Sequence, residues 1–272
     1  MEWYEKAATQ GNADAQAILG HMYDKGLGVE QDYGKAMKWY EKAAAQGYAI
    51  AQIALARMYY SKGLGMEQDY AKAMEWYEKA ATWYDGAQLV LSYMYRHGKG
   101  VEQDYTKAAE WCEKAATQNY VPAQCELAGY YERNHNYAIA MQLYQKAATK
   151  GNADAQTSLG YMYYYGQGVE QDYAKAIEWY QKAAAQGNAN AQNYLSYMYR
   201  HGEGVKQDYA EAAKWYEEAA LRGDLDAQYN IGEMYRDGLG IPKNKEKAIE
   251  WFKKAAEQGY NYAKKELEKL SR

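Results

Sequence analysis

Four histidines and two cysteines are the side chains best suited to metal, acid–base or nucleophilic chemistry in these 272 residues. His97 and His201 share the context Arg-His-Gly but stand three repeat units apart. At about 10 Å per packed helix layer they are too distant to share a metal ion. No His/Cys/Asp group has ligand spacing and no Ser/His/Asp set stands out, so the expectation is a non-enzyme with no metal and no cofactor. Cys112 and Cys125 admit two readings: partly buried thiols in a reducing compartment, or a clamp in an oxidising one. The Gly-x-Gly segments invite a phosphate-loop reading, which needs a preceding strand. Here helical patterns flank the segment and it recurs six times, so left-handed turn geometry accounts for it.

Composition narrows the classes further. Lysine plus arginine (32) is outnumbered by aspartate plus glutamate (36), so no basic field recruits nucleic acid or anionic lipid. No apolar run approaches the roughly 20 residues of a spanning helix, and the N-terminus lacks a signal-peptide core. The expected compartment is the cytoplasm if the chain is complete, and the periplasm or exterior if a signal peptide has been removed. Tyrosine is over-represented, with 33 copies against a single phenylalanine, which points to repetition.

The pair Ala-Gln occurs at 15, 51, 87, 123, 155, 191 and 227, spaced by 36 residues except for one step of 32. A fixed period in this range signals a solenoid. Each unit carries two helical stripes: Ala15, Leu19, Met22 and Tyr23, then Ala36, Trp39, Tyr40, Ala43 and Ala44. Asp32 is placed to N-cap the second helix. Gly47 is placed to end it in a left-handed turn, a task Asn119 takes over in one copy. Pro122 sits at a first-turn position that tolerates it. The tryptophans, Trp39 and its repeats, are expected to fill space between adjacent units. No segment alternates as a strand does, so the fold is expected to be all-α.

The phrase Leu19-Gly20-x-Met22-Tyr23, Gly26-x-Gly28-Val29, Asp32-Tyr33, Lys35-Ala36, Trp39-Tyr40, Lys42-Ala43-Ala44 resembles the Sel1-like repeat, a longer-looped relative of the tetratricopeptide repeat. The resemblance covers nearly the whole chain. It implies a right-handed superhelical solenoid of antiparallel helix pairs that acts as a scaffold for protein–protein contacts, in roles as diverse as adaptors and immunity proteins. The organisation expected is one solenoid: a half-repeat at 1–12, seven repeats at 13–48, 49–84, 85–120, 121–152, 153–188, 189–224 and 225–260, and a capping helix at 261–272.

Function is expected where the repeats differ. Residues two, six and nine after the first alanine of Ala-Gln share one face of the first helix. That stripe is rich in tyrosine and arginine, types favoured at interface hot spots. By family resemblance the first helices line the concave surface. The predicted groove anchors are therefore Arg57, Tyr60, Tyr93, Arg96, Tyr161, Tyr164, Tyr197, Arg200, Tyr229 and Arg236. The expected partner is a protein or peptide, with no nucleic acid and no membrane insertion; the alternative is a small molecule or cell-wall saccharide on the tyrosine faces. Two irregularities stand out. The fourth unit loses four residues, with Tyr130–Tyr137 replacing the glycine loop, and an extra residue near Tyr60-Ser61 is offset by a shortened 82–86.

Overall fold

The computed structural model describes residues 1–61 and 67–270. Among them there is helix and turn but no strand. A lone helix α1 (Glu2–Thr9) precedes the pairs α2 (Ala13–Lys25) and α3 (Tyr33–Ala45), α4 (Ala49–Tyr60) and α5 (Tyr70–Ala80), and α6 (Asp85–His97) and α7 (Tyr105–Thr117). Then come α8 (Val121–Arg133) and α9 (Tyr137–Thr149), α10 (Ala153–Tyr165) and α11 (Tyr173–Ala185), and α12 (Ala189–His201) and α13 (Tyr209–Leu221). The pair α14 (Leu225–Asp237) and α15 (Lys245–Glu257) precedes a final α16 (Asn261–Leu270). The first helix of each pair is termed helix A and the second helix B. Packing divides the chain into an N-terminal unit, Met1–Leu127, and a C-terminal unit, Ala128–Arg272.

The consensus residues earn their places through hydrogen bonds at helix ends, where backbone groups lack intrahelical partners. Asp32, Asp69, Asp104, Asp172 and Asp208 each cap a helix B by accepting from amides in its first turn. The glutamine of Ala-Gln is buried and closes the other end. Gln16, Gln88, Gln156 and Gln228 donate to the carbonyls of Ala8, Ala81, Ala148 and Ala220 at the end of the preceding helix B. The glutamine before the capping aspartate does the same for helix A: Gln31 reaches the Asp24 carbonyl at 2.7 Å and Gln171 that of Tyr164 at 2.7 Å. Gly-x-Gly pairs at 26–28, 98–100, 166–168, 202–204 and 238–240 have positive φ, as left-handed turns require. The sixth pair, 63–65, and the end of the extra-residue region lie outside the described residues.

Small residues let the two helices of a pair close up. A Cβ on Gly160 would lie 2.6 Å from the Tyr180 ring, so in that repeat the ring occupies the space a side chain would take. The most deeply buried aromatic of helix B is this residue rather than the tryptophan before it, although in α15 both Trp251 and Phe252 are buried. Tyr40, Tyr77, Tyr144, Tyr180, Tyr216 and Phe252 are buried, as is Cys112 in the same slot. Trp39, Trp76, Trp111, Trp179 and Trp215 are half-buried. Trp39, Trp76, Trp111 and Trp215 pack against the buried clusters from their margin, and Trp251 is itself buried. One residue is about 100° around a helix, which turns the tryptophan toward the edge. There Lys42, Lys79, Lys114 and Lys182 lie over the faces of Trp39, Trp76, Trp111 and Trp179.

The shortened fourth repeat is closed by a different device. His135, at φ 58°, takes the left-handed conformation used elsewhere by glycine, and the Asn136 amide donates to the Tyr131 carbonyl at 2.8 Å. No disulfide joins Cys112 and Cys125. Burial pushes the Cys112 thiol up to about 11, and its Sγ lies 3.5 Å from the Ala123 carbonyl oxygen.

Candidate partner-binding face

Helix A has two kinds of position. Counting from the first alanine of Ala-Gln, residues at offsets zero, one, four and five are buried in most repeats, whereas offsets two, three, six and nine reach the surface. All ten predicted anchors fall in this second set and are half-buried or exposed.

The structure engages most of the charged anchors within the chain. Arg96 pairs with Glu126 at 2.8 Å. Arg200 reaches Glu233 at 3.1 Å and the Asn230 side-chain oxygen at 3.1 Å. Arg236 contacts both Glu266 and Asp237 at 2.6 Å. Except for Arg236–Asp237, which lies within α14, these links run from one helix to the next in the stack, so three of the four stripe arginines bind neighbouring repeats together. Arg57 differs: it is exposed and in no ion pair among the described residues. Its charge is felt by the phenols of Tyr40 and Tyr77, opposing the burial that pushes Tyr77 up to about 12.

The tyrosines divide in the same manner. The Tyr164 hydroxyl donates to Glu203, and burial together with that carboxylate raises its pKa strongly. Tyr229 donates to Glu233 at 3.2 Å and stacks obliquely on Phe252 and Tyr260; burial pushes its hydroxyl up to about 12. Tyr93 and Tyr197 remain open, at 46% and 41% exposure, each leaning on the histidine one turn on, with ring centroids 4.2 Å apart. Tyr60 meets Tyr70 and Tyr77 edge-on at 5.2 and 6.4 Å. Tyr161 contacts Tyr165 at 4.4 Å and Tyr194 at 5.9 Å.

Two concavities collect these side chains. In the N-terminal unit, Tyr60, Tyr93 and Arg96 come together with Tyr77, Leu89, Val90, Ser92 and Glu126 around a mainly apolar pocket of about 360 Å³. In the C-terminal unit, Tyr161 joins Tyr194, Thr157, Ser158, Asn190, Asn193 and the carboxylates of Glu132, Asp224 and Asp226 around a polar pocket, also about 360 Å³. Burial, with Asp226 beside it, raises the Asp224 carboxyl above its ordinary value despite the amide bond from Ala227. Among the described residues no His/Cys/Asp/Glu group is arranged to hold a metal, and no helix is long and apolar enough to cross a membrane. Val90 and Tyr194, at offset three, belong to the face but not to the predicted stripe. Their signal was helical adjacency: offset three lies one turn before offset six.

Repeats built in this way have known counterparts. Residues 1–12, 13–48, 49–82, 86–120, 121–152, 153–188, 189–224 and 225–260 each match the family described as Sel1 repeat. The chain belongs to the Sel1 repeat family. Among solved structures, a protective antigen of uropathogenic Escherichia coli displaying an SLR fold is 38% identical with a TM-score of 0.87, over 98% of this chain. A Sel1 repeat protein from Oxalobacter formigenes is 30% identical with a TM-score of 0.67, over 99% of this chain and 90% of that one. The immunity protein PA5088 of Pseudomonas aeruginosa shares the fold, at 23% identity and a TM-score of 0.52 over 78% of this chain and 82% of that one. The chain spans 58% of the Escherichia coli protein. It spans 7% of a curated, uncharacterized Neisseria meningitidis protein, 58% identical over 33 residues. The Sel1 repeat architecture fits a protein-interaction scaffold.

Proposed function

We propose that this Sel1 repeat chain is a non-catalytic scaffold that holds a partner protein or extended peptide on its helix-A face. One observation carries the reading. The consensus side chains are mostly buried or closed by hydrogen bonds within the chain, whereas the helix-A offsets two, three and six, Ala17 apart, are half-buried or exposed and differ from repeat to repeat. Variation on a constant frame is how a repeat protein builds an extended binding surface. Open tyrosines such as Tyr93 and Tyr197 supply large contact area with a polar tip. The specific form of this role is a bacterial immunity, inhibitor or adaptor protein, and a toxin gene beside its own would support the first of these.

The test is capture from the native organism's lysate by wild type and by a variant carrying Arg57→Ala, Tyr93→Ala, Tyr161→Ala and Tyr197→Ala. Circular dichroism checks that both are folded. A stoichiometric protein held by wild type and lost by the variant is expected; equal capture by both would move the site off this face. A second reading, a small molecule or saccharide on aromatic faces, is favoured by the three tyrosines Tyr60, Tyr77 and Tyr93 around one pocket. It predicts thermal stabilisation by glycan fragments with no protein partner.

A further inference from the structure

The pocket of the N-terminal unit has a chemistry that selects among partners. Its walls are the side chains of Leu89 and Val90 and the rings of Tyr60, Tyr77 and Tyr93. Its volume of about 360 Å³ falls in the range of ligand-sized clefts, about 300–1,000 Å³. Of the polar groups around it, Ser92 and the Arg96–Glu126 pair already have partners, and the phenol hydroxyls of Tyr60, Tyr77 and Tyr93 make up the rest. Ser92 donates to the Ala108 carbonyl at 2.7 Å, and Arg96 at the rim is paired with Glu126 at 2.8 Å. Away from those hydroxyls a polar occupant would lose water without replacement, while an apolar one releases water from apolar walls.

The charge beside the pocket, on Arg57, is in no ion pair among the described residues. Arg57 precedes Tyr60 by one turn of α4 on the same face, and its charge acts on Tyr77, which lines the pocket. In the C-terminal unit, the residue at offset nine and that at offset six of the next repeat form the Arg200–Glu233 pair at 3.1 Å. The same two slots in the N-terminal unit hold Asp24 and Arg57, with the charges exchanged, but no ion pair joins them; Asp24 bonds Lys25 at 2.9 Å instead. The guanidinium thus faces solvent next to an apolar cleft.

We infer that this pocket seats one bulky apolar side chain of a partner peptide and that Arg57 binds a carboxylate on the residue next to it. The inference rests on the scaffold reading and names the partner's chemistry at that face: an acidic peptide segment with an embedded aromatic or large aliphatic residue.

Calorimetric titration of the full chain tests it with four probes: Ac-Gly-Asp-Phe-Asp-Gly-NH2, its Asn-for-Asp and Ala-for-Phe counterparts, and 3-phenylpropionate. Wild type is expected to bind the first peptide, to bind the Asn peptide about five-fold more weakly, as loss of one exposed charge pair allows, and to show no saturable binding of the Ala peptide. Arg57→Gln should erase the Asp-over-Asn preference and keep the remaining affinity. Asp24→Asn, which removes a competing carboxylate, should increase the preference. Leu89→Gln should abolish binding; Val90→Thr, nearly isosteric, serves if the first variant fails to fold. Equal affinity of wild type for the Asp and Asn peptides, or unchanged binding by the wall variants, would overturn the proposal. So would 3-phenylpropionate binding as tightly as the peptide, which would make this a small-acid site. Absence of binding by every probe would also overturn it, while partner capture lost in the four-residue variant would still uphold the scaffold reading.

Discussion

The two pockets occupy equivalent slots of one repeat and have opposite chemistry. In the N-terminal unit offsets two, three and six are Leu89, Val90 and Tyr93; in the C-terminal unit they are Thr157, Ser158 and Tyr161. The aromatic at offset six is common to both. Two aliphatic side chains against two hydroxyls, with Asp224 and Asp226 added from the start of α14, convert a greasy cleft into an acidic one. The frame beneath them is the same in kind: a glutamine tie to a helix-end carbonyl and an aspartate cap, with Cys112 of α7 buried in the slot that Tyr180 fills in α11. The variable slots around the pockets and the consensus frame beneath them are thus different positions, although Arg96, Arg200 and Arg236 on the same face also link successive helices.

That separation can be broken at several places. The largest effect is expected from Tyr180→Ala, which empties a fully buried aromatic site and should cost about 3–5 kcal/mol, measured by chemical denaturation. Gly160→Ala comes next, because the new Cβ would meet the Tyr180 ring at 2.6 Å; overpacking of this kind costs about 1–3 kcal/mol. A cost near zero would mean that the ring moves aside freely. Asp224→Asn keeps the helix cap and removes a charge that burial disfavours. A carboxyl raised on folding holds its proton more tightly in the native state. It therefore weakens the fold as pH climbs from the ordinary carboxylate value through the raised one. The Asn variant should be slightly more stable than wild type at neutral pH and equal to it in acid, as thermal melts at several pH values would reveal. The smallest change in stability is expected from exchanging slots, Thr157→Leu with Ser158→Val: within about 0.5 kcal/mol, as for surface positions. The same exchange should confer binding of an apolar probe on the C-terminal unit.

Much of the frame was legible from sequence because it repeats. The period located the helix pairs, and Asp32, Gly47 and Asn119 behave as their types and positions require. The identity of the buried aromatic was not legible, since Trp39 and Tyr40 are adjacent and either fits a helical stripe; in the structure it is the Tyr40 ring that lies against Gly20. The face was visible as a stripe of variable residues, but its internal pairings were not. Arg200–Glu233 and Arg236–Glu266 join residues some thirty positions apart, and only the stacking of successive helices brings them together. Nor does sequence show that Arg57, alike in type, stands outside that network.

The central claim is that the helix-A face carries the partner while the helix-B positions carry the stack. Amide hydrogen exchange of the chain with and without its captured partner tests it most directly. The account predicts new protection in the helices A, above all α4, α6, α10 and α12, and unchanged exchange along the lysine-covered tryptophan edges of α3, α5, α7 and α11. Protection confined to those helix-B edges, with the helices A unaltered, would contradict it.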